Sequence, residues 1–229
     1  MTTGRAPSNP SPRTSRPPPS YKKLVVLEHP LVQHKLTLLR SKELSTRGFR
    51  QLTHEIGALL AYEIMREAPV KPVTVETPLG IANGVELDGK KQVLVTILRA
   101  GLGLLDGMLI TLPSARVGHI GLYRDARLRT SVEYYLKLPK AMPERDAIVI
   151  SSVLATGGSA AAAVRRVKES GARSVSFACL LACKEGIERV HEEHPDVPIY
   201  TCAIDEKLDA RGFILPGLGD VGDRLYGTE

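Results

Sequence analysis

An apolar run that halts at a cluster of small residues and resumes as a helix restricts what this chain can fold into. The segment is Val149-Ile-Ser-Ser-Val-Leu-Ala-Thr-Gly-Gly-Ser159, followed by an Ala-rich stretch from Ala160 to Val164. A nearly continuous apolar strand has both faces covered, the environment of a parallel sheet between helical layers. Thr156, Gly157, Gly158 and Ser159 then sit where strand gives way to helix. The first N–H groups of a helix have no intrahelical partner, and the helix dipole adds partial positive charge there. The two glycines remove side chains that would hold a phosphate away, while Thr156 and Ser159 add hydroxyl donors. The turn therefore reads as a phosphate cradle. A plain tight turn between strand and helix is the bland alternative. No Gly-Lys-Ser/Thr follows, so it is not a P-loop, and it is not Gly-x-Gly-x-x-Gly.

The rest of the chain alternates in the same way. Residues 41–66 place Leu44, Phe49, Leu52, Ile56, Leu59, Leu60 and Ile64 near a 3.6 period and predict a helix. Strands are expected at 73–76, 92–97, 116–122, 146–151, 173–182 and 198–204. Helices are expected from Gly103 through Ile110, over 157–170 and over 185–193. Residues 123–138, with Arg124, Arg127, Arg129 and the Tyr134-Tyr135 pair, read as an exposed arm or hairpin leaving the sheet. No internal repeat is visible. In open α/β sheets ligands bind at the carboxyl ends of the strands, where Arg99, Arg124 and residues 151–159 all fall.

Charge separates a tail from the rest. Arg5, Arg13, Arg16, Lys22 and Lys23 lie in residues 1–23, which hold no acid, so residues 24–229 carry a formal charge of only +1 against +6 for the whole chain. A near-neutral fold argues against a nucleic-acid partner, which needs a basic face. Residues 1–23 also hold Pro7, Pro10, Pro12, Pro17, Pro18 and Pro19; this tail cannot bury apolar surface and is expected to be disordered. It has no apolar stretch for a secretory signal, and its prolines spoil the amphipathic helix of a transit peptide. Residues 24–229 are expected to form one domain, and the chain has no membrane-spanning run of ~18–20 apolar residues. Cys179, Cys183 and Cys202 match no zinc pattern and read as buried free thiols of a reducing, cytoplasmic compartment.

Three features converge on one ligand chemistry. Ile97-Leu-Arg-Ala-Gly-Leu-Gly103 sets a guanidinium beside a tight glycine turn, and Leu122-Tyr-Arg124 supplies a second. Residues 156–159 supply the cradle. A guanidinium fork gives phosphate oxygens two parallel charge-assisted bonds. A lone arginine at a strand end is ordinarily a surface charge; two beside a cradle point to a polyphosphate ligand.

At this point the chain resembles the bacterial uracil phosphoribosyltransferases over residues 24–229. The resemblance is carried by His29-Pro-Leu-Val-Gln-His-Lys35, Ile97-Leu-Arg-Ala-Gly-Leu-Gly103, Pro113-Ser-Ala-Arg116, Tyr135-Leu-Lys-Leu-Pro139, Leu154-Ala-Thr-Gly-Gly-Ser159, His194-Pro-Asp196 and Gly212-Phe-Ile-Leu-Pro-Gly-Leu-Gly-Asp-Val-Gly-Asp-Arg-Leu-Tyr-Gly-Thr228. The last is the most specific, although Pro216 to Gly219 alone would pass for an ordinary Gly/Pro loop. The resemblance implies an α/β fold of phosphoribosyltransferase type, a Rossmann-like parallel sheet flanked by helices, with a protruding β-arm and a C-terminal base-binding hood. It implies transfer of ribose 5-phosphate from phosphoribosyl pyrophosphate to uracil, giving UMP and diphosphate, with Mg2+ as cofactor. It also implies a cytoplasmic homo-oligomer with small-molecule substrates and no membrane partner, and, as family attributes, GTP binding and allosteric control.

Residue by residue, the resemblance sets Ser151, Ser152, Val153, Leu154, Ala155, Thr156, Gly157, Gly158 and Ser159 around the phosphoribosyl group, with 156–159 on its 5-phosphate. Arg99 and Arg124 would contact the diphosphate side; Ile214, Gly219, Asp220 and Val221 would hold uracil, largely through backbone groups. Asp220 would also face the donor and its Mg2+, and Asp220 and Arg124 are the expected catalytic residues. Two departures stand out. The family's Asp-Pro-Met before the cradle is Ser151-Ser152-Val153 here, and the arm reads Asp125-Ala-Arg-Leu-Arg129 where acidic residues and Thr are usual. Charge-assisted hydrogen bonds contribute roughly 1.5–3 kcal/mol against ~1 for neutral ones, so serine at 151 weakens the grip on ribose hydroxyls. Beside an active enzyme stand two further readings: a weakened homologue serving as a ligand sensor or partner subunit, and an RNA-binding regulator on the same scaffold, which the near-neutral core disfavours.

Overall fold

Alternate residues of the central strands point into two separate cores, and that alternation organises the molecule. In the computed structural model, which describes residues 23–124 and 131–228, Leu94, Ile148, Ile150 and Leu180 face one layer of helices. Val93, Val95, Val149 and Phe177 face the other. A period of two with both sets buried requires helices on both faces.

The elements run β1 (Leu24–Val26), α1 (Pro30–Arg40), α2 (Thr46–Ile64), β2 (Val70–Thr77), β3 (Gly80–Leu87), β4 (Val93–Leu98), α3 (Leu102–Thr111), β5 (Arg116–Arg124) and β6 (Ser131–Lys137). They continue with β7 (Asp146–Ile150), β8 (Val153–Leu154), α4 (Gly158–Glu169), β9 (Ser174–Cys183), α5 (Lys184–Glu193), β10 (Ile199–Asp205), β11 (Lys207–Leu208), β12 (Ile214–Leu215) and α6 (Val221–Tyr226). Among the described residues the main sheet has the order β1-β10-β9-β7-β4-β5-β6, with β8 on β9. Its pairings are parallel except that of β5 with β6. Helices α1, α2, α3 and α6 pack on one face, through side chains such as Leu36, Phe49, Leu104 and Leu225. Helices α4 and α5 cover the other through Ala160, Val164, Ile187 and Val190.

The α/β architecture agrees with the sequence reading, with local differences. The helix expected over 41–66 begins only at Thr46, because the Ser45 hydroxyl accepts from the Gly48 amide at 3.2 Å and caps it there. A separate helix, α1, precedes it, opened by Pro30 at its first turn with the His29 ring accepting from the Leu31 amide. The strand at 73–76 is half of a hairpin, β2 with β3, that joins no other strand. Its turn is closed by Thr77, whose hydroxyl accepts from Gly80 N and donates to Gly80 O. The segment read as an arm or hairpin does pair as one, β6 running antiparallel to β5 along the sheet's edge, while Asp125 to Arg129 lie outside the described residues, as do residues 1–22 of the tail.

Among the described residues no helix is long and apolar enough to cross a membrane. The three cysteines are free and buried, as expected. Burial pushes the Cys179 thiol up to about 12 and Cys202 higher still, while burial and the Glu185 carboxylate raise Cys183 to about 11. The thiolate is the reactive form. None of the three should therefore react with an aromatic disulfide reagent at pH 8 in the native protein, and all three should react after denaturation. Spectrophotometric titration checks this; rapid labelling of the native protein would show that these strands open.

Candidate functional site

The site begins where two neighbouring strands part. β4 and β7 pair from Val93 with Ala147 to Thr96 with Ile150, and no further. Beyond that point β4 stays with β5 as far as Leu98 opposite Gly121. The other chain stays on β9, through Ser151 N to Ala178 O at 3.0 Å and Leu180 N to Ser152 O at 2.9 Å, and then as β8. The sequence suggested one strand running to Ser151; the structure shows it interrupted there and resumed in the same register on β9. The chain after β4 leads to β5 on one side, and the chain after β7 leads to β9 on the other. This is a topological switch point, and a crevice at the strands' carboxyl ends follows from it. The cavity there measures about 360 Å³.

One wall is the turn after β4. Gly101 folds back so closely that a Cβ there would lie 2.4 Å from Thr96 Oγ1 and 2.7 Å from the carbonyl oxygens of Ile97 and Ile150. Only glycine permits that approach. The Arg99 guanidinium lies 3.8 Å from the Asp223 carboxylate and 5.7 Å from the centre of the Tyr226 ring. The Tyr226 hydroxyl donates to the Arg99 carbonyl at 3.0 Å. Burial pushes that phenol above its usual range, which keeps its proton in place.

The opposite wall is the run 151–159. Gly157 caps α4 with φ 79°, and Ala161 N to Gly157 O at 2.8 Å is the first bond of the helix. The amides of Gly158, Ser159 and Ala160 precede it, so they have no intrahelical acceptor. The first turn of α4 holds no acid to compete for an anion. Helix α5 presses on the back of this loop: a Cβ on Gly157 would meet Gly186 O at 2.8 Å, and one on Gly186 would meet Ala155 O at 2.5 Å. The Ser151 hydroxyl donates to Val153 O at 3.2 Å, and Ser152 is buried.

The third wall comes from the C-terminus. Asp220 caps α6, accepting from Asp223 N at 3.0 Å. Gly219, Asp220 and Val221 line the cavity together with Arg99 and residues 151–159. Ile214 does not line it. Its side chain is in the core, and its carbonyl oxygen lies 2.0 Å from where a Gly217 Cβ would be. Arg124 ends β5 two residues past Leu122, which lines the cavity; the Arg124 side chain is outside the described structure.

Several neighbours of the site carried no sequence signal of their own. Phe213 and Gly222 line the cavity. Ser131, at the start of β6, brings its hydroxyl to 3.3 Å from that of Ser159. The Arg189 guanidinium carbon lies 3.9 Å from the place of a Gly158 Cβ. Only the quoted segment 212–228 could have drawn attention to Phe213, Gly222 and Tyr226. Nothing local marks Ser131 or Arg189, whose proximity arises from strand pairing and helix packing.

A parallel sheet with a crevice of this kind at its switch point, a glycine turn opening a helix on one side and a C-terminal hood on the other, is the architecture of the phosphoribosyltransferases. An adenine phosphoribosyltransferase from Trypanosoma brucei, solved with AMP, pyrophosphate and ribose-5-phosphate, shares the fold with a TM-score of 0.54 at 14% identity, over 79% of this chain and 82% of that one. The AQ2163 protein of Aquifex aeolicus superposes with a TM-score of 0.85 at 34% identity, over 90% of this chain and 99% of that one. The chain belongs to the uracil phosphoribosyltransferase family, whose model matches residues 26–228. A uracil phosphoribosyltransferase of Rhodococcus jostii (strain RHA1) is 58% identical over 204 residues, which are 89% of this chain and 98% of that protein.

Gly157→Ala tests the cradle's backbone. A left-handed conformation costs an L-residue roughly 1–2 kcal/mol, before the contact with Gly186 is counted. For a chain of this size that corresponds to a melting temperature lower by about 2–8 °C, measured by differential scanning calorimetry. An unchanged Tm would mean that the loop is free to relax and is not pinned between α4 and α5.

Proposed function

We propose that this chain transfers the 5-phosphoribosyl group of 5-phospho-α-D-ribose 1-diphosphate to N1 of uracil, giving UMP and diphosphate. The observation that carries the reading is the single cavity in which the α4 cradle, Arg99 and the 219–221 backbone face one another. A phosphate, a diphosphate and a flat base are the three parts of such a reaction, and each has a wall suited to it.

In this reading the amides of 158–160 and the hydroxyls of Thr156 and Ser159 take the 5-phosphate. Arg99, and Arg124 at the end of β5, take the diphosphate. Gly219, Asp220 and Val221 present backbone groups to the base, while Ile214 supports the hood from behind. The bond from ribose C1 to the diphosphate oxygen breaks early and leaves an oxocarbenium-like sugar. Uracil N1 then bonds to C1 and its proton departs to solvent. The protein's part is alignment and stabilisation of the leaving charge by preorganised donors, without a covalent intermediate.

Among the described residues no three His, Cys, Asp or Glu side chains are grouped to hold a metal. Asp220, which lines the cavity, is the carboxylate that would meet a magnesium carried in on the donor's own oxygens, the usual arrangement for this ion with phosphate substrates. Bound so, it would neutralise charge on the departing diphosphate. We further assign a cytoplasmic homo-oligomer. The β2–β3 hairpin exposes Val75, Leu79, Ile81 and Val85, an apolar surface that a single chain leaves uncovered. Control by GTP rests on the resemblance alone.

Purified protein with donor, Mg2+ and uracil should release UMP and diphosphate, and cytosine should be a far poorer substrate. An amino group where a carbonyl is matched leaves buried polar groups unpaired. No product would sink the reading, and equal turnover of cytosine would sink the hood assignment.

Ser151 offers a second test. Its hydroxyl is spent on Val153 O, so a carboxylate at 151 would add a charged acceptor toward the ribose hydroxyls. A gain of about 1–2 kcal/mol corresponds to roughly 5–30-fold, so Ser151→Asp should lower the donor KM by up to that factor in steady-state kinetics. Weaker donor binding in the variant would show a site built around serine.

A further inference from the structure

The hood reads its ligand through backbone, so something must hold that backbone still. Its first turn is self-contained: one Asp209 carboxylate oxygen accepts from the amides of Arg211 and Phe213, both at 2.8 Å. The next turn, around Gly217, is not. Its amide donates to Asp205 Oδ2 at 2.9 Å, and its carbonyl accepts from Arg40 Nη1 at 2.9 Å. Arg40 and Asp205 are themselves joined by a fork, Nη1 to Oδ2 at 2.8 Å and Nη2 to Oδ1 at 2.7 Å. Asp205, the last residue of β10, is 7% exposed. Arg40 is the last residue of α1.

Asp205 does not line the cavity, and its carboxylate is turned to Arg40 and the Gly217 amide, so it acts on the site only through that peptide. The pair clamps one residue from both sides. Gly217 has φ 64°, and a Cβ there would come 2.0 Å from Ile214 O, so the turn has no slack of its own. Two residues later the chain reaches Gly219 and the cavity. A bidentate pair adds directional rigidity, and breaking it by removing one partner leaves an uncompensated buried charge.

We propose that Arg40 and Asp205 are positioning residues for base recognition: their ion pair grips the Gly217 peptide and thereby sets the height and tilt of the 219–221 backbone over the cavity. The inference rests on the reading of that backbone as the base site. The clamp does not touch 99–101 or 151–159, the main donor walls; of the contacts assigned to the donor only Asp220 lies on the clamped segment. The base should therefore feel the loss of the pair more strongly than the donor.

Asp205→Asn and Arg40→Lys test this in the full chain, with uracil and donor varied separately. Each keeps a hydrogen-bonding group in place while breaking the charged fork. The uracil KM should rise by about tenfold or more, the scale of one charge-assisted bond, with a clearly smaller rise in the donor KM. Circular dichroism and Tm report folding; should Asp205→Asn fail to fold, Arg40→Lys, on the more exposed partner, carries the test. An unchanged uracil KM in a folded variant overturns the inference, as does an equal rise for both substrates, which a general loosening would give. A parent protein that does not turn over uracil overturns the reading of the pocket, and the inference with it. A parent that is active while its variants keep their uracil KM overturns the inference alone.

Discussion

The parting of β4 from β7 after Thr96 and Ile150 is the constraint on which the site depends. Up to that point the strands exchange ladder hydrogen bonds, and no ligand could enter between them. Past it, each chain stays with its outer neighbour, and the two diverge toward opposite halves of the sheet. The crevice is therefore a consequence of strand order and not of an inserted loop. It is kept open at one side by a turn that folds back against the strand ends, where the absent side chain of Gly101 leaves room only for backbone.

Close backbone approach recurs wherever the site needs accuracy. Gly157 and Gly186 bring α5 against the loop that starts α4, and Gly57 and Gly107 let α2 and α3 touch backbone to backbone, with a Cβ on Gly107 only 1.8 Å from His54 O. That second contact matters at a distance. Helix α3 follows directly from the Arg99 turn, so its seating on α2 determines where Arg99 begins. Arg99 in turn meets Asp223 and Tyr226 of α6, so the turn after β4 and the C-terminal wall share a joint. The two walls are thereby held in register with one another by packed elements, a form of preorganisation.

Much of the architecture could be read ahead of the structure because it is encoded locally. Apolar runs at 92–97, 146–151 and 173–182 announce buried strands, and Thr156 to Ser159 announces a strand-to-helix turn. The failures are equally physical. The helix expected from residue 41 starts only at Thr46 because of one serine cap inside a segment of helical period. The β2–β3 hairpin is largely exposed, so no alternation of buried and exposed residues marks its second strand.

By itself, the sequence determined the class of fold, the place of the glycine turn that opens α4 and the family. Each of these is written in contiguous residues: periodicity, a four-residue turn and a C-terminal segment of 17 residues from Gly212 to Thr228. Only the tertiary structure decided which of those residues share a cavity. It set Ile214 behind the hood, turned the Ser151 hydroxyl to Val153, and brought Ser131 to Ser159 and Arg40 to Asp205 across 28 and 165 residues. The reason is that side-chain meetings between distant segments follow from strand order and helix packing, which act on the whole chain at once. A hydrogen bond between residues so far apart leaves no mark in the local pattern around either one.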